Sequence, residues 1–147
     1  MEIYTRKFEI IEDSLKKLSE MKRENPTLSK YRTSWKDKDS AERNIQKIVE
    51  AIIDLGKILI AEKKLKEPSS NREVFQILVE NEFFPSELIS LTDKMIGMRN
   101  IIVHSYNRID DSIIYGVLKK NLPDIKKLIS ILKKVCLSSK KKGQATF

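Results

Sequence analysis

Chemistry in this chain is concentrated in one stretch, Met98-Arg99-Asn100-Ile101-Ile102-Val103-His104-Ser105-Tyr106, which holds the only histidine of 147 residues. Histidine, with an ordinary pKa of about 6.5, takes up and gives back protons at neutral pH. Arginine stays charged and can grip phosphate oxygens bidentately as charge grows in a transition state. Together they suffice for one metal-free reaction class. RNA carries its own nucleophile, the 2′-hydroxyl, beside the phosphate it attacks. Asn100 could orient the imidazole or bind a phosphate oxygen. The stretch has no carboxylate to act as a metal ligand, which disfavours a two-metal nuclease.

Helical geometry complicates the pairing. Asn100 and His104 are four apart and share a helix face, whereas Arg99 and His104 are about 140° apart around the axis. They could still act together in three ways: if the helix ends near His104, if the arginine wraps back, or if two copies meet across a two-fold axis. Structural roles compete with each assignment. A lone histidine near a helix end is commonly a cap or a packing residue. Arg99 could pair with Asp93 or with a carboxylate on another helix, and Tyr106 could be a core tyrosine with its hydroxyl at the surface.

The elements that would position these groups read as helices. Few glycines and prolines (four of each), with 40% apolar and 34% charged residues, favour one all-α domain. A first helix is expected over 3–23, where Phe8, Ile11, Leu15, Leu18 and Met21 form one stripe, closed by Asn25-Pro26. Residues 26–38 read as a polar connection in which Tyr31 or Trp35 packs over the core. A second helix is expected from about Asp39, with Asp39 and Glu42 at capping-box spacing, to about Lys64. Its apolar surface is wide, so it is central or buried on two sides, a second subunit being one candidate cover. Gly56 in its interior implies a close helix approach.

A short helix carrying Val74, Phe75, Leu78 and Val79 follows, and then a fourth from about Ser86 to Tyr106 or Asn107. Its core edge is expected at Leu88, Leu91, Met95, Met98 and Ile102. Asp110 or Asp111 should cap a last helical region that Pro123 kinks or restarts near Leu122. The domain is expected to span 1–138, with 139–147 as a basic, flexible tail. The fold class is an antiparallel helical bundle of about five helices.

Composition narrows the partners. Residues 1–93 hold 17 Lys+Arg against 18 Asp+Glu, and residues 94–147 hold 12 against 3. The whole excess of +8 therefore lies in the part containing and following the histidine, which suits a polyanion such as RNA or an acidic protein, and equally a solvated lysine face with a basic tail. One cysteine and one histidine argue against a zinc site within one subunit, and Cys136 reads as packing in a reducing cytoplasm. No membrane span and no secretion signal are expected.

Arg99-x4-His104-x-Tyr106 resembles the R-x4-H-x-Y motif of the HepT-like toxins in the HEPN superfamily of helical ribonucleases. Ala41-Glu42-Arg43-Asn44-Ile45-Gln46 with Ile52-Ile53-Asp54-Leu55-Gly56 is similar to the family's second helix. Arg72 to Leu78, Met95 to Asn100, Ile109-Asp110 and the proline-interrupted last helix also fit, so the resemblance covers about residues 2–135. It implies a homodimeric toxin that cleaves RNA without metal or cofactor. Arg99 and His104 would form the catalytic pair across the dimer cleft, assisted by Asn100. It also implies a partner, a minimal nucleotidyltransferase antitoxin of the MntA type, which silences the toxin by transferring AMP to Tyr106. Ser105 occupies a variable position. Two other readings compete: a non-catalytic, nucleotide-binding partner of a nucleotidyltransferase, and a structural bundle in which His104 only caps a helix.

Overall fold

A computed structural model describes the backbone of residues 2–104 and 109–145, and the side chains of 3–104 and 109–138. The described residues build an all-helical bundle. Five helices have ten residues or more: α1 (Glu2–Glu24), α3 (Trp35–Glu62), α4 (Asn71–Glu80), α5 (Ile89–His104) and α7 (Leu122–Ala145). Two six-residue helices, α2 (Leu28–Thr33) and α6 (Asp111–Gly116), link them. The polar connection expected over 26–38 is therefore partly helical. Thr27 caps α2 by accepting from the Lys30 amide at 3.2 Å.

The second long helix also begins earlier than Asp39. Ser34 accepts from the Asp37 amide at 3.4 Å and starts α3 at Trp35. An upstream cap that the chain can use extends the ladder by a turn, and Asp39 becomes an interior residue. Of the two aromatics in this region, Tyr31 is fully buried while Trp35 is 64% exposed.

Helices α1 and α3 run antiparallel and share the core. Tyr4 near the start of α1 donates to Glu62 at the end of α3. Lys7 pairs with Asp54 at 2.8 Å, and Asn25, just past α1, donates to Asp37 at 2.9 Å. Between these ties Phe8, Ile11, Leu18, Ile48, Ile52, Leu55 and Leu59 are buried. Each such side chain contributes about 1.5–3 kcal/mol by leaving water. α3 is the central helix of the bundle, packed by α1, α4, α5 and α7. Gly56 explains how α4 reaches it: a Cβ there would stand 2.5 Å from Val74 Cγ1.

At the other end, Tyr115 of α6 donates to the Asn25 carbonyl at 2.8 Å and its ring packs 5.5 Å from Tyr31. Asp110 caps α6 by accepting from the Ser112 amide at 2.8 Å, and those hydrogen bonds hold its carboxyl below the usual range. Pro123 has no amide to give to the Lys119 carbonyl, and the ladder before it widens to a π-helix over Val117–Asn121. A regular helix resumes at Leu122, where the proline was expected to restart it. α7 then continues to Ala145, beyond the Ser138 end expected from the apolar pattern. Among the described residues no helix is long and apolar enough to cross a membrane.

Candidate active site

The site is built on the C-terminal half of α5. A 3₁₀ turn over Ser86–Leu88, following Pro85, leads into it. Thr92 donates to the Ile89 carbonyl at 2.9 Å, which satisfies its buried hydroxyl inside the first turn. Met95, Ile96 and Met98 are then buried against the bundle, and Ile102 is half-buried. Two other apolar residues are not covered: Ile101 is 47% exposed and Val103 is 39% exposed. α5 is thus apolar around most of its circumference, yet only part of that surface meets this chain.

Arg99 turns toward α3. Its Nη2 lies 3.7 Å from Glu50 Oε2, and its Nη1 donates to Asn100 Oδ1 at 3.2 Å. The guanidinium is half-buried, with Nε enclosed and lacking a hydrogen-bond partner. Glu50 is held in turn by Gln46, whose Nε2 donates to Oε1 at 2.8 Å. The carboxylate that pairs with Arg99 therefore comes from another helix and not from Asp93. Sequence reasoning did not single out Glu50. Its one local signal is Gln46 and Glu50, four apart on one face of α3.

Asn100 and His104 are exposed, stacked on one outward face of α5 beside Ile101. His104 is the last residue of the helix. Among the described residues no hydrogen bond or ion pair joins Arg99 to His104. The helical offset of about 140° expected from their spacing carries the arginine to the α3 side and leaves the imidazole facing outward. Tyr106, the expected AMP acceptor, and Ser105 lie outside the described residues.

Other groups take no part in this arrangement. Among the described residues no three His, Cys, Asp or Glu side chains are grouped as a metal site would need. Cys136 is fully buried, and burial pushes its thiol up to about 12. It is a packing residue, as its apolar neighbours in the sequence imply.

Residues 11–132 match the family model described as Ribonuclease HepT-like. The chain is 30% identical over 105 residues to the mRNA nuclease HepT of Shewanella oneidensis, covering 71% of this chain and 79% of that protein. It is also 30% identical over 103 residues to the tRNA nuclease HepT of Aphanizomenon flos-aquae, covering 70% of this chain and 67% of the relative. Among solved structures, a tri-AMPylated Shewanella oneidensis HEPN toxin in complex with MNT antitoxin superposes with a TM-score of 0.81 at 27% identity. The match covers 90% of this chain and 98% of that one. A toxin–antitoxin structure with AMP-PNP gives the same TM-score of 0.81 at 26% identity over the same shares. The family model spans most of the chain and the helical backbone superposes on solved toxins of the same kind, so the chain belongs to the HepT-like ribonuclease family.

Proposed function

We propose that this chain is the toxin of a toxin–antitoxin pair, a metal-independent endoribonuclease whose catalytic groups are His104 and Arg99, assisted by Asn100. One observation carries the reading. His104 and Asn100 face outward on an α5 surface whose apolar residues Ile101 and Val103 are uncovered, while Arg99 of the same chain sits on a different side of the helix. A second copy placed on that surface would cover the two apolar residues and bring both sets of polar groups into one cleft. A two-fold interface of this kind is self-complementary. The homodimer is part of the proposal.

In that cleft His104 takes the proton from a ribose 2′-hydroxyl, and the 2′-oxygen bonds to the adjacent phosphorus. Charge accumulates on the non-bridging oxygens, where the Arg99 guanidinium and the Asn100 amide meet it. The bond from phosphorus to the 5′-oxygen then breaks. The departing oxygen takes a proton from an imidazolium, leaving a 2′,3′-cyclic phosphate and a 5′-hydroxyl. Glu50 must release Arg99 or share it with the phosphate.

Relatives solved in complex with an MNT antitoxin, one of them tri-AMPylated, support a minimal nucleotidyltransferase as partner. The Tyr106 phenolic oxygen would attack the α-phosphorus of ATP, lose its proton to solvent and expel pyrophosphate. Each AMP adds negative charge and bulk next to a cleft that must hold an RNA phosphate.

RNA cleavage in EDTA tests the enzyme: the wild type should cut, and Arg99→Ala and His104→Ala should not. Normal cleavage by both variants would overturn the catalytic assignment. A wild type that binds the nucleotidyltransferase yet never cleaves RNA would favour a non-catalytic partner protein, a reading to which the Arg99–Glu50 ion pair lends some support. Intact mass after co-expression with the nucleotidyltransferase tests the switch. AMP-sized steps that vanish in Tyr106→Phe are expected, and steps that persist would place the acceptor elsewhere.

A further inference from the structure

Arg72, on α4, rests its guanidinium on the outward face of α5, and nothing in the motif draws attention to it. It is the second residue of α4, where the backbone is fixed by a reciprocal cap. Ser70 accepts from the Glu73 amide at 3.1 Å, and Glu73 accepts from the Ser69 amide at 2.9 Å and its hydroxyl at 3.1 Å. The Ser69 amide, with its hydroxyl, holds the Glu73 carboxyl below the usual range, so the acid next to Arg72 in sequence is engaged elsewhere.

From this fixed base the Arg72 side chain reaches across to α5. Nη2 donates to the Asp93 carbonyl at 3.3 Å and lies 3.2 Å from where a Cβ on Gly97 would stand. The missing side chain at Gly97 lets the guanidinium rest a few tenths of an ångström closer to the helix than an alanine there would allow. Asp93, Gly97, Asn100 and His104 follow one another at four, three and four residues, which makes them a single stripe. Arg72 thus sits on the stripe that carries His104, about 10 Å along the axis from it.

The two arginines differ in what holds them. Arg99 faces a carboxylate. Arg72 is exposed; among the described residues its one hydrogen bond goes to a neutral carbonyl and no ion pair neutralises it. A guanidinium has five donors, and most of these face solvent.

We propose that Arg72 holds a backbone phosphate of the RNA substrate, one flanking the scissile phosphate, and so sets how the strand lies along α5. The proposal rests on the nuclease reading of His104 and Arg99. Its test separates the two by measuring binding apart from cleavage. Binding to an uncleavable 2′-deoxy oligonucleotide is measured for the wild type, Arg72→Gln and Gly97→Ala. Cleavage in EDTA of the matching ribo-oligonucleotide and of a dinucleotide, which has only the scissile phosphate, is measured for these and for His104→Ala.

Arg72→Gln should weaken oligonucleotide binding about tenfold or more, the size of a lost charge-assisted hydrogen bond. It should lower the slope of log affinity against log salt by about 0.7. For the ribo-oligonucleotide KM should rise with kcat little changed, and dinucleotide cleavage should match the wild type. Gly97→Ala should show a smaller effect of the same sign, because the added methyl pushes the guanidinium aside by a few tenths of an ångström. Unchanged oligonucleotide binding in Arg72→Gln would overturn the proposal. So would an equal loss on the dinucleotide, or a lower Tm with unchanged KM, each of which marks a structural role. If His104→Ala still cleaves while Arg72→Gln binds weakly, the catalytic assignment of His104 fails and the phosphate contact stands.

Discussion

Helices α3 and α5 are both rich in apolar residues, but their surroundings differ. Along α3 the bundle covers almost every apolar side chain, from Ile45 through Ile60. Along α5 coverage thins after Met98: Ile102 is still half-buried, but Ile101 and Val103 face outward beside Asn100 and His104. Over that span α3 has no unmet demand for burial, and its composition there is explained by this chain alone; its exposed aromatic, Trp35, lies at the far N-terminal end. Helix α5 has apolar surface left over next to its only histidine. That juxtaposition, more than the histidine by itself, separates a site from a piece of scaffold.

The comparison breaks most visibly if the outward end of α5 proves inert. Arg99→Ala and His104→Ala should each lower RNA cleavage by about 10²–10⁴-fold, the range lost with a general acid/base or a transition-state donor. Circular dichroism and Tm should change little, because neither side chain is part of the core. Cleavage reduced less than about tenfold with an intact fold would return His104 to the role of a helix cap.

On α3 the same truncation should have the opposite signature. Leu59 is fully buried, and Leu59→Ala should cost about 2–5 kcal/mol in denaturant unfolding. Ile101→Ala should change the stability of the monomer by less than about 0.5 kcal/mol, as expected of an exposed position. In a dimer, Ile101→Ala should instead shift the association equilibrium, read by sedimentation across a concentration series. Similar unfolding costs at Leu59 and Ile101 would remove the contrast.

Much of this contrast could be read from the sequence. The stripe Phe8-Ile11-Leu15-Leu18 and the broad apolar surface of α3 marked two helices that contribute to the core, and Gly56 marked a close helix approach, made in the structure by α4. The offset between Arg99 and His104 followed from their spacing alone. What escaped is tertiary. Glu50 and Arg99 are 49 positions apart, and no local periodicity announces an ion pair between two helices. Arg72 was visible only as part of a segment, because its place over Gly97 depends on how α4 and α5 cross. The start of α3 was misplaced for a different reason: Ser34 and Asp39 are both competent caps, and only the path of α2 determines which one the helix uses.

The two glycines sharpen the comparison at smaller cost. Gly56→Ala puts a methyl 2.5 Å from Val74 Cγ1 in a packed interface. Overpacking of about 1–3 kcal/mol should outweigh the gain of about 1 kcal/mol in helix propensity, and Tm should fall. Gly97→Ala meets only the mobile end of Arg72, at 3.2 Å, so the propensity gain should prevail and Tm should hold or rise. A Tm loss at Gly97 equal to that at Gly56 would mean that the outward face is packed as tightly as the core.

The smallest effect expected is at the ion pair that links the two helices, Arg99 with Glu50. Glu50→Gln keeps the shape of the side chain and an oxygen for Gln46 to donate to, and removes the charge facing Arg99. A half-exposed ion pair is worth about 0–1 kcal/mol, so the melting curve should barely move. RNA binding should tighten, since a phosphate no longer competes with a carboxylate for the guanidinium. Weaker binding would reverse the account: it would mean that Glu50 holds Arg99 in the pose that receives the phosphate, and that α3, otherwise pure scaffold, contributes one residue to the site.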